Sequence, residues 1–216
     1  MLERIAFVVL MTLTGAVFAL LPQLLQSNSC LPGTGVGVHR SIPAEVLTGL
    51  NDLQGAPVSQ EYFAGHWSVV MFGYLGCTDV CHTQAMILRQ ISASPDLPDD
   101  LQYAYVAMDP AQDSPQLDSY FPADSQPVQV ILPGSLEHAQ QIALAMGVPF
   151  ARNAQPGYAG KPQGYLDHPG YLLLIDPSKT IRMVYPSYEA NAVSLAGDLA
   201  SITRLATSQD DGNNCI

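Results

Sequence analysis

An α/β fold, with a mixed sheet and helices on both of its faces, is what this sequence of 216 residues predicts. Three observations carry the prediction. Short apolar runs rich in β-forming residues recur along the chain, and segments with apolar residues at helical spacing fall between them. The last two runs are separated only by the turn "PSKT", so they form a hairpin instead of another crossover.

The elements follow in chain order. "MLERIAFVVLMTLTGAVFALLPQLL" is uncharged and apolar from Ile5 to Leu21, nearly long enough to span a bilayer, and Pro22 to Leu25 extend it through the interface. A cleaved signal segment is the rival, but no clean small-x-small site follows, so residues 1–25 read as a transmembrane anchor. Arg4 and the terminal amine favour a cytoplasmic N-terminus with the body outside. No long Arg-rich presequence precedes the span, which favours a bacterial cytoplasmic membrane crossed once, with the domain facing the periplasm.

Residues 26–45 are rich in Gly, Ser and Pro without a helix or strand period and read as a flexible tether. The domain is expected over 46–206, with 207–216 as a tail. "LNDLQGAPVSQEYFAGHW" carries turn signals between short apolar pieces and predicts a preceding β-hairpin. "WSVVMFGY" is a continuous apolar run, expected as a central strand covered on both faces. Val80, Ile87, Leu88 and Ile91 predict a helix, with Thr78 or Asp79 as its cap.

"YAYVAMD" (Tyr103 to Asp109) and "VQVIL" (Val128 to Leu132) read as further strands, with a short helix over "SPQLDSYF" between them. Ser135 caps the next helix and Gly147 stops it. Pro149 to His168 is long, Gly- and Pro-rich and without period, so it reads as a functional loop whose Gly157, Gly160 and Gly164 let it swing. "YLLLID" and "IRMVYP" make the hairpin, and Val193, Ala196, Leu199, Ile202 and Leu205 line a last helix. This order fits a thioredoxin-like sheet.

The chain has 8 basic and 19 acidic residues, a formal charge of -11, which excludes general affinity for nucleic acid. Chemistry concentrates instead in "FGYLGCTDVCHTQ". Cys77 falls just before the predicted helix and Cys81 in its first turn, where unpaired backbone N–H groups favour thiolates. Lowered thiol pKa values serve disulfide exchange and soft-metal coordination alike. Three intervening residues are one more than dithiol oxidoreductases commonly use, though a disulfide is possible at this spacing.

A metal site wants a third donor. His39 falls in the tether, His138 in the first turn of a helix, and His66 at the wrong end of the central strand. His82 adjoins Cys81, but adjacent helical residues diverge by about a quarter turn. His168 immediately precedes "YLLLID" and approaches the cysteine turn if that strand runs antiparallel to "WSVVMFGY". Two thiolates and an imidazole suit copper as Cu(I) or Cu(II), whereas zinc usually asks for a fourth ligand. Three readings stay open at this point: a copper centre, a redox pair, or an ordinary pair of helix-start cysteines beside a loop histidine. Cys30 and Cys215, near the edges of the soluble part, can pair or stay free.

"GHWSVVMFGYLGCTDVC", "VAMDPAQDSPQLDSYF" and "GYLDHPGYLLLID" together resemble the SCO/SenC family of copper-binding cytochrome oxidase assembly proteins, from about Val46 to Leu205. Three separated motifs stand in the family's order: Gly-Tyr leading to Cys-x-x-x-Cys, Asp-Pro-x-x-Asp-x-Pro over Asp109 to Pro115, and Asp167-His168 before the hairpin. The resemblance implies a thioredoxin-like domain holding one copper through Cys77, Cys81 and His168. It implies a copper chaperone assisting the dinuclear copper site in subunit II of cytochrome c oxidase or a related acceptor. The alternative it leaves is a thiol:disulfide oxidoreductase, with Cys77 and Cys81 as catalytic redox residues keeping that partner's cysteines reduced. The family usually has Pro after each cysteine; Thr78 and His82 stand here. Thioredoxin-like reductases carry a cis-proline near the place of Pro169, for which the ordinary trans form is expected.

Overall fold

A computed structural model describes residues 33–77, 80–121, 128–153, 165–187 and 190–208. The predicted anchor, Cys30, Cys215, the capping candidates Thr78 and Asp79, and the three loop glycines lie outside these residues. Among the described residues, no helix is long and apolar enough to cross a membrane.

The strands are β1 (Val36–Ser41), β2 (Leu50–Asn51), β3 (Pro57–Val58), β4 (Ser68–Gly73), β5 (Gln102–Ala107), β6 (Val128–Ile131), β7 (Ala151–Asn153), β8 (Tyr165–Asp167), β9 (Tyr171–Ile175) and β10 (Thr180–Pro186). The α-helices are α1 (Val80–Ser92), α2 (Pro110–Tyr120), α3 (Leu136–Ala145) and α4 (Ala192–Ser208), with 3-10 turns over Ala44–Leu47 and Gln60–Phe63. One sheet runs β1-β10-β9-β4-β5-β6; β2-β3 and β7-β8 are separate two-stranded ribbons.

Every residue of β4 is buried, because both faces of the sheet are covered. Val70, Phe72, Ala104, Val106, Leu173 and Ile175 cluster with Ala139, Ile142 and Ala143 of α3. The alternate residues Val69, Met71, Tyr103, Tyr105, Leu172 and Leu174 are buried on the opposite face. There Tyr103 donates its hydroxyl to the Ile91 carbonyl of α1, and α1 packs against α4. β5 lies parallel to β4, whereas β9 lies antiparallel to it with Met71 opposite Leu172. The reversed direction brings the start of β9 to the end of β4 where the cysteines follow.

Three local readings need correction. Val36–Ser41, within the expected tether, is an edge strand paired with β10. Its side chains are largely exposed, so pairing through the backbone leaves no apolar period to read. The helix expected from Ser114 starts at Pro110, since proline fits a helix's first turn where its missing N–H is not needed. The expected loop after Pro149 carries β7 and β8, paired from Ala151–Asp167 to Asn153–Tyr165. Elsewhere the punctuation acts as expected: Ser135 accepts the His138 N–H, and Gly147 takes φ of 79°. Gly73 admits close approach instead, because a Cβ there would lie 2.8 Å from the Tyr105 ring.

Candidate metal centre

The cysteine pair is built locally. The chain leaves β4 at Gly73, turns with the Cys77 N–H donating to the Tyr74 carbonyl, and enters α1 at Val80. The Cys77 sulfur then accepts the Cys81 backbone N–H at 3.3 Å, so one thiol serves as acceptor for an orphan donor of the helix start. Cys77 is half-buried, Cys81 is buried, and no disulfide joins them.

His168 arrives from elsewhere, directly after β8. Its Nδ1 lies 2.9 Å from the Pro169 carbonyl, which only accepts, so Nδ1 donates and Nε2 is the ring nitrogen turned to the Cys81 sulfur. That Nε2 stands 3.0 Å from the Cys81 sulfur. The donor atoms of Cys77, Cys81 and His168 all lie within 4.8 Å of one another, and they form the sole such group of three or more His, Cys, Asp or Glu among the described residues. Three donors about 2.0–2.3 Å from one ion stand about 3.5–4.0 Å apart in a trigonal arrangement, so a contraction of less than ~1 Å brings the group onto a single cation. Its chemistry is soft, and a fixed imidazole tautomer is what a metal ligand requires.

Electrostatics refine the expectation of two thiolates. The Cys81 thiol is pushed well above its ordinary pKa, first by its contact with the Cys77 sulfur and then by burial and by negative charge on Cys77. Cys81 therefore keeps its proton, shared toward His168 Nε2, until something cationic displaces it. The helix start favours charge on one sulfur, not on both.

Tyr74 and Arg152 hold the histidine arm, and sequence reasoning missed both roles. The Tyr74 hydroxyl accepts the Leu166 N–H at 3.2 Å, two residues before the histidine, and its ring meets the His168 ring edge-on with centroids 5.8 Å apart. Burial pushes the Tyr74 phenol up to about 12, opposed in part by that N–H. Arg152 of β7 reaches Asp109 Oδ2 at 2.6 Å, where Gln112 also donates at 2.7 Å. The Asp109 carboxylate thus ties β7 to the end of β5 instead of capping α2. A cleft of about 140 Å³ opens between these groups, lined by Tyr74, Asp109, Asp113, Arg152 and Leu166 among others. The Gly-Tyr strand end and the Asp-Pro motif were visible signals; a lone arginine in a Gly- and Pro-rich stretch was not.

The other histidines stand apart from this group. His138 accepts the Gly134 N–H within its own helix start, and His39 lies on β1. His82 is exposed, with Nδ1 2.8 Å from the Tyr120 hydroxyl. The described peptide bonds, that before Pro169 included, are trans.

Comparison with known proteins follows the same lines. A family model described as SCO1/SenC matches residues 49–204. A Stutzerimonas stutzeri protein provisionally named copper-binding is 28 % identical over 148 residues, 67 % of this chain and 68 % of that protein. Protein sco1 of Schizosaccharomyces pombe is 32 % identical over 136 residues, 59 % of this chain and 49 % of that protein. The chain spans about half the length of the yeast relatives it matches. The crystal structure of yeast Sco1 with copper bound superposes with a TM-score of 0.58 at 18 % identity, over 85 % of this chain and 97 % of that one. At that identity the likeness establishes the thioredoxin-like fold.

Proposed function

The chain belongs to the SCO1/SenC family, and from that membership and the geometry of its site we propose that it is a membrane-tethered copper chaperone. Cys77, Cys81 and His168 hold one copper ion, which is cargo destined for the dinuclear site in subunit II of cytochrome c oxidase or a related acceptor. Residues 1–25 anchor the chain in a bacterial cytoplasmic membrane, and the domain faces the periplasm. The observation that carries the reading is the convergence of two sulfurs and a tautomer-fixed imidazole, with Cys81 Sγ 3.0 Å from His168 Nε2.

Before loading, the Cys81 S–H donates to His168 Nε2; on loading, that proton passes to solvent and both sulfurs and Nε2 would bind the ion. The half-buried Cys77 gives an acceptor's ligand a sulfur to approach, while the buried Cys81 keeps its hold. Titration of the full chain in detergent should reach about one copper per chain, with thiolate-to-Cu(II) absorption that His168→Ala removes. Binding indifferent to both cysteines would end the proposal. Anchoring is checked separately, by protease access to the domain in spheroplasts compared with inverted vesicles.

A second reading, thiol:disulfide exchange, is favoured by the same asymmetry. Cys77 has the accessible sulfur and Cys81 lies behind it as a resolving thiol. Exchange with an oxidised partner would join Cys77 to one partner sulfur, and Cys81 would then displace the partner as a dithiol while becoming oxidised with Cys77. Turnover that survives His168→Ala but vanishes in Cys77→Ser would identify it.

A further inference from the structure

The sulfur pair has a second approach, on a face that His168 does not line. A cavity of about 50 Å³ is walled there by Cys77, Cys81, His82, Tyr105 and Tyr120 together with the Tyr74–Leu75 turn. Liquid water occupies ~30 Å³ per molecule, so the space admits one ion or one or two waters and nothing larger. His82 stands at its exposed edge, where the family pattern has proline, and its Nδ1 is engaged by the Tyr120 hydroxyl at 2.8 Å. Tyr120 is itself braced, its ring edge-on to Phe121 at 5.1 Å and Phe121 against the buried Tyr105 at 4.8 Å. Burial is the first cause that raises the Tyr120 phenol, so it stays a neutral hydroxyl beside the sulfurs.

We propose that His82 is an exchange ligand: its Nε2 receives copper from the sulfur pair through this cavity and passes it to an acceptor, while Tyr120 holds the ring by accepting from Nδ1–H. The inference rests on the copper-chaperone reading and deepens it. His168 makes the resting centre and His82 serves the exit. One copper–nitrogen bond forms at His82 as that to His168 breaks. The ion keeps its oxidation state, and one imidazole nitrogen replaces another as its donor. Metal-bound histidines commonly donate their second ring N–H to a fixed partner, and the Tyr120 hydroxyl supplies that partner before any ion arrives.

The test uses the full chain in detergent, loaded with one equivalent of Cu(I) and mixed with the Cu(I) chelator bathocuproine disulfonate in a stopped-flow instrument. His82→Ala should slow copper removal about tenfold, at the lower end of what loss of a supporting group around a metal costs. It should leave the stoichiometry of Cu(I) loading unchanged, and a separate sample loaded with Cu(II) should keep its thiolate-to-Cu(II) absorption. Tyr120→Phe should slow removal by a smaller factor. In the metal-free protein, nitrogen-15 NMR should find the His82 proton on Nδ1, and Tyr120→Phe should release that preference. Removal rates that both variants leave unchanged, or a proton on Nε2, would overturn the His82 role alone. A wild-type chain that takes up no copper would overturn the chaperone reading and this inference with it. Matched thermal melts separate a slowed exchange from a misfolded variant.

Discussion

The two sides of the candidate metal centre are made differently. On one side, Cys77 and Cys81 are placed by short-range structure: a buried central strand ends at Gly73, a turn follows, and α1 begins. On the other, His168 follows the three-residue strand β8, whose position depends on Tyr74, 92 residues away in sequence from Leu166, and on the Arg152–Asp109 pair. The cysteine side is therefore rigid because it belongs to the core, and the histidine side is held by a few polar contacts. In the proposed copper carrier this inequality would let two sulfurs keep the ion while the third ligand is exchanged.

The inequality is tested most severely from the cysteine side. In Cys81→Ala the ion loses a buried donor, and if the ~10–16 kcal/mol of a structural zinc site is shared among four ligands, each is worth roughly 3–4 kcal/mol. Copper affinity should fall ~10²- to 10³-fold, read by competition with a chelator of known strength, while the fold survives. Tyr74→Phe attacks the histidine side without touching a ligand. It leaves the Leu166 N–H without its acceptor, and copper affinity should fall ~10-fold, as for other groups that orient a ligand. Spectra of the loaded variant should show a broadened population of sites. An unchanged affinity would mean that β8 is held by its strand pairing alone.

The Arg152–Asp109 pair contributes to the histidine side at a lower magnitude. The Arg152 side chain is 28 % exposed and that of Asp109 9 %, so solvent screens part of the attraction. A double-mutant cycle with Asp109→Asn and Arg152→Met should return a coupling of about 1 kcal/mol in copper affinity, with each single variant speeding hydrogen exchange in β7 and β8 but not in α1. A coupling near zero would reduce the pair to surface decoration.

What was legible in the sequence divides along the same line. β4, β5 and the β9–β10 hairpin announce themselves by continuous apolar runs, because burial on both faces demands them. β1 does not, since its exposed side chains leave the pairing to the backbone. The cysteines at a helix start could be read from spacing, and His168 could be placed once β9 was taken as antiparallel to β4. β7 and β8 could not be read: three residues each are too few to show a period, and tertiary contacts select their conformation. The same shortness hid Arg152, whereas Tyr74 was visible as a strand end but not as a brace. Nothing local distinguishes a tyrosine that ends a strand from one that braces a remote backbone N–H.

The smallest effect expected is one of pH, and Tyr74 carries it. Its phenol is raised to about 12 in the folded protein, with burial as the largest cause, against an unfolded value near 10. Between these values the folded state binds more protons than the unfolded one, so stability declines as pH rises. The contribution is fully present below about 10 and is lost as pH rises through about 12. Discounted for solvent screening at a phenol near the surface, it is no more than ~1 kcal/mol. Tyr103, also raised to about 12 by burial, shares this pH range but lies between β5 and α1, away from the histidine arm. Urea unfolding between pH 9 and 11.5 should therefore show an alkaline decline in the wild type that Tyr74→Phe makes shallower without abolishing. If hydrogen exchange in β8 rises with pH in the wild type, but not in Tyr74→Phe, the loosened element is the arm that carries His168. If it rises equally in both, the Tyr74 hydroxyl is not what couples alkaline pH to that arm.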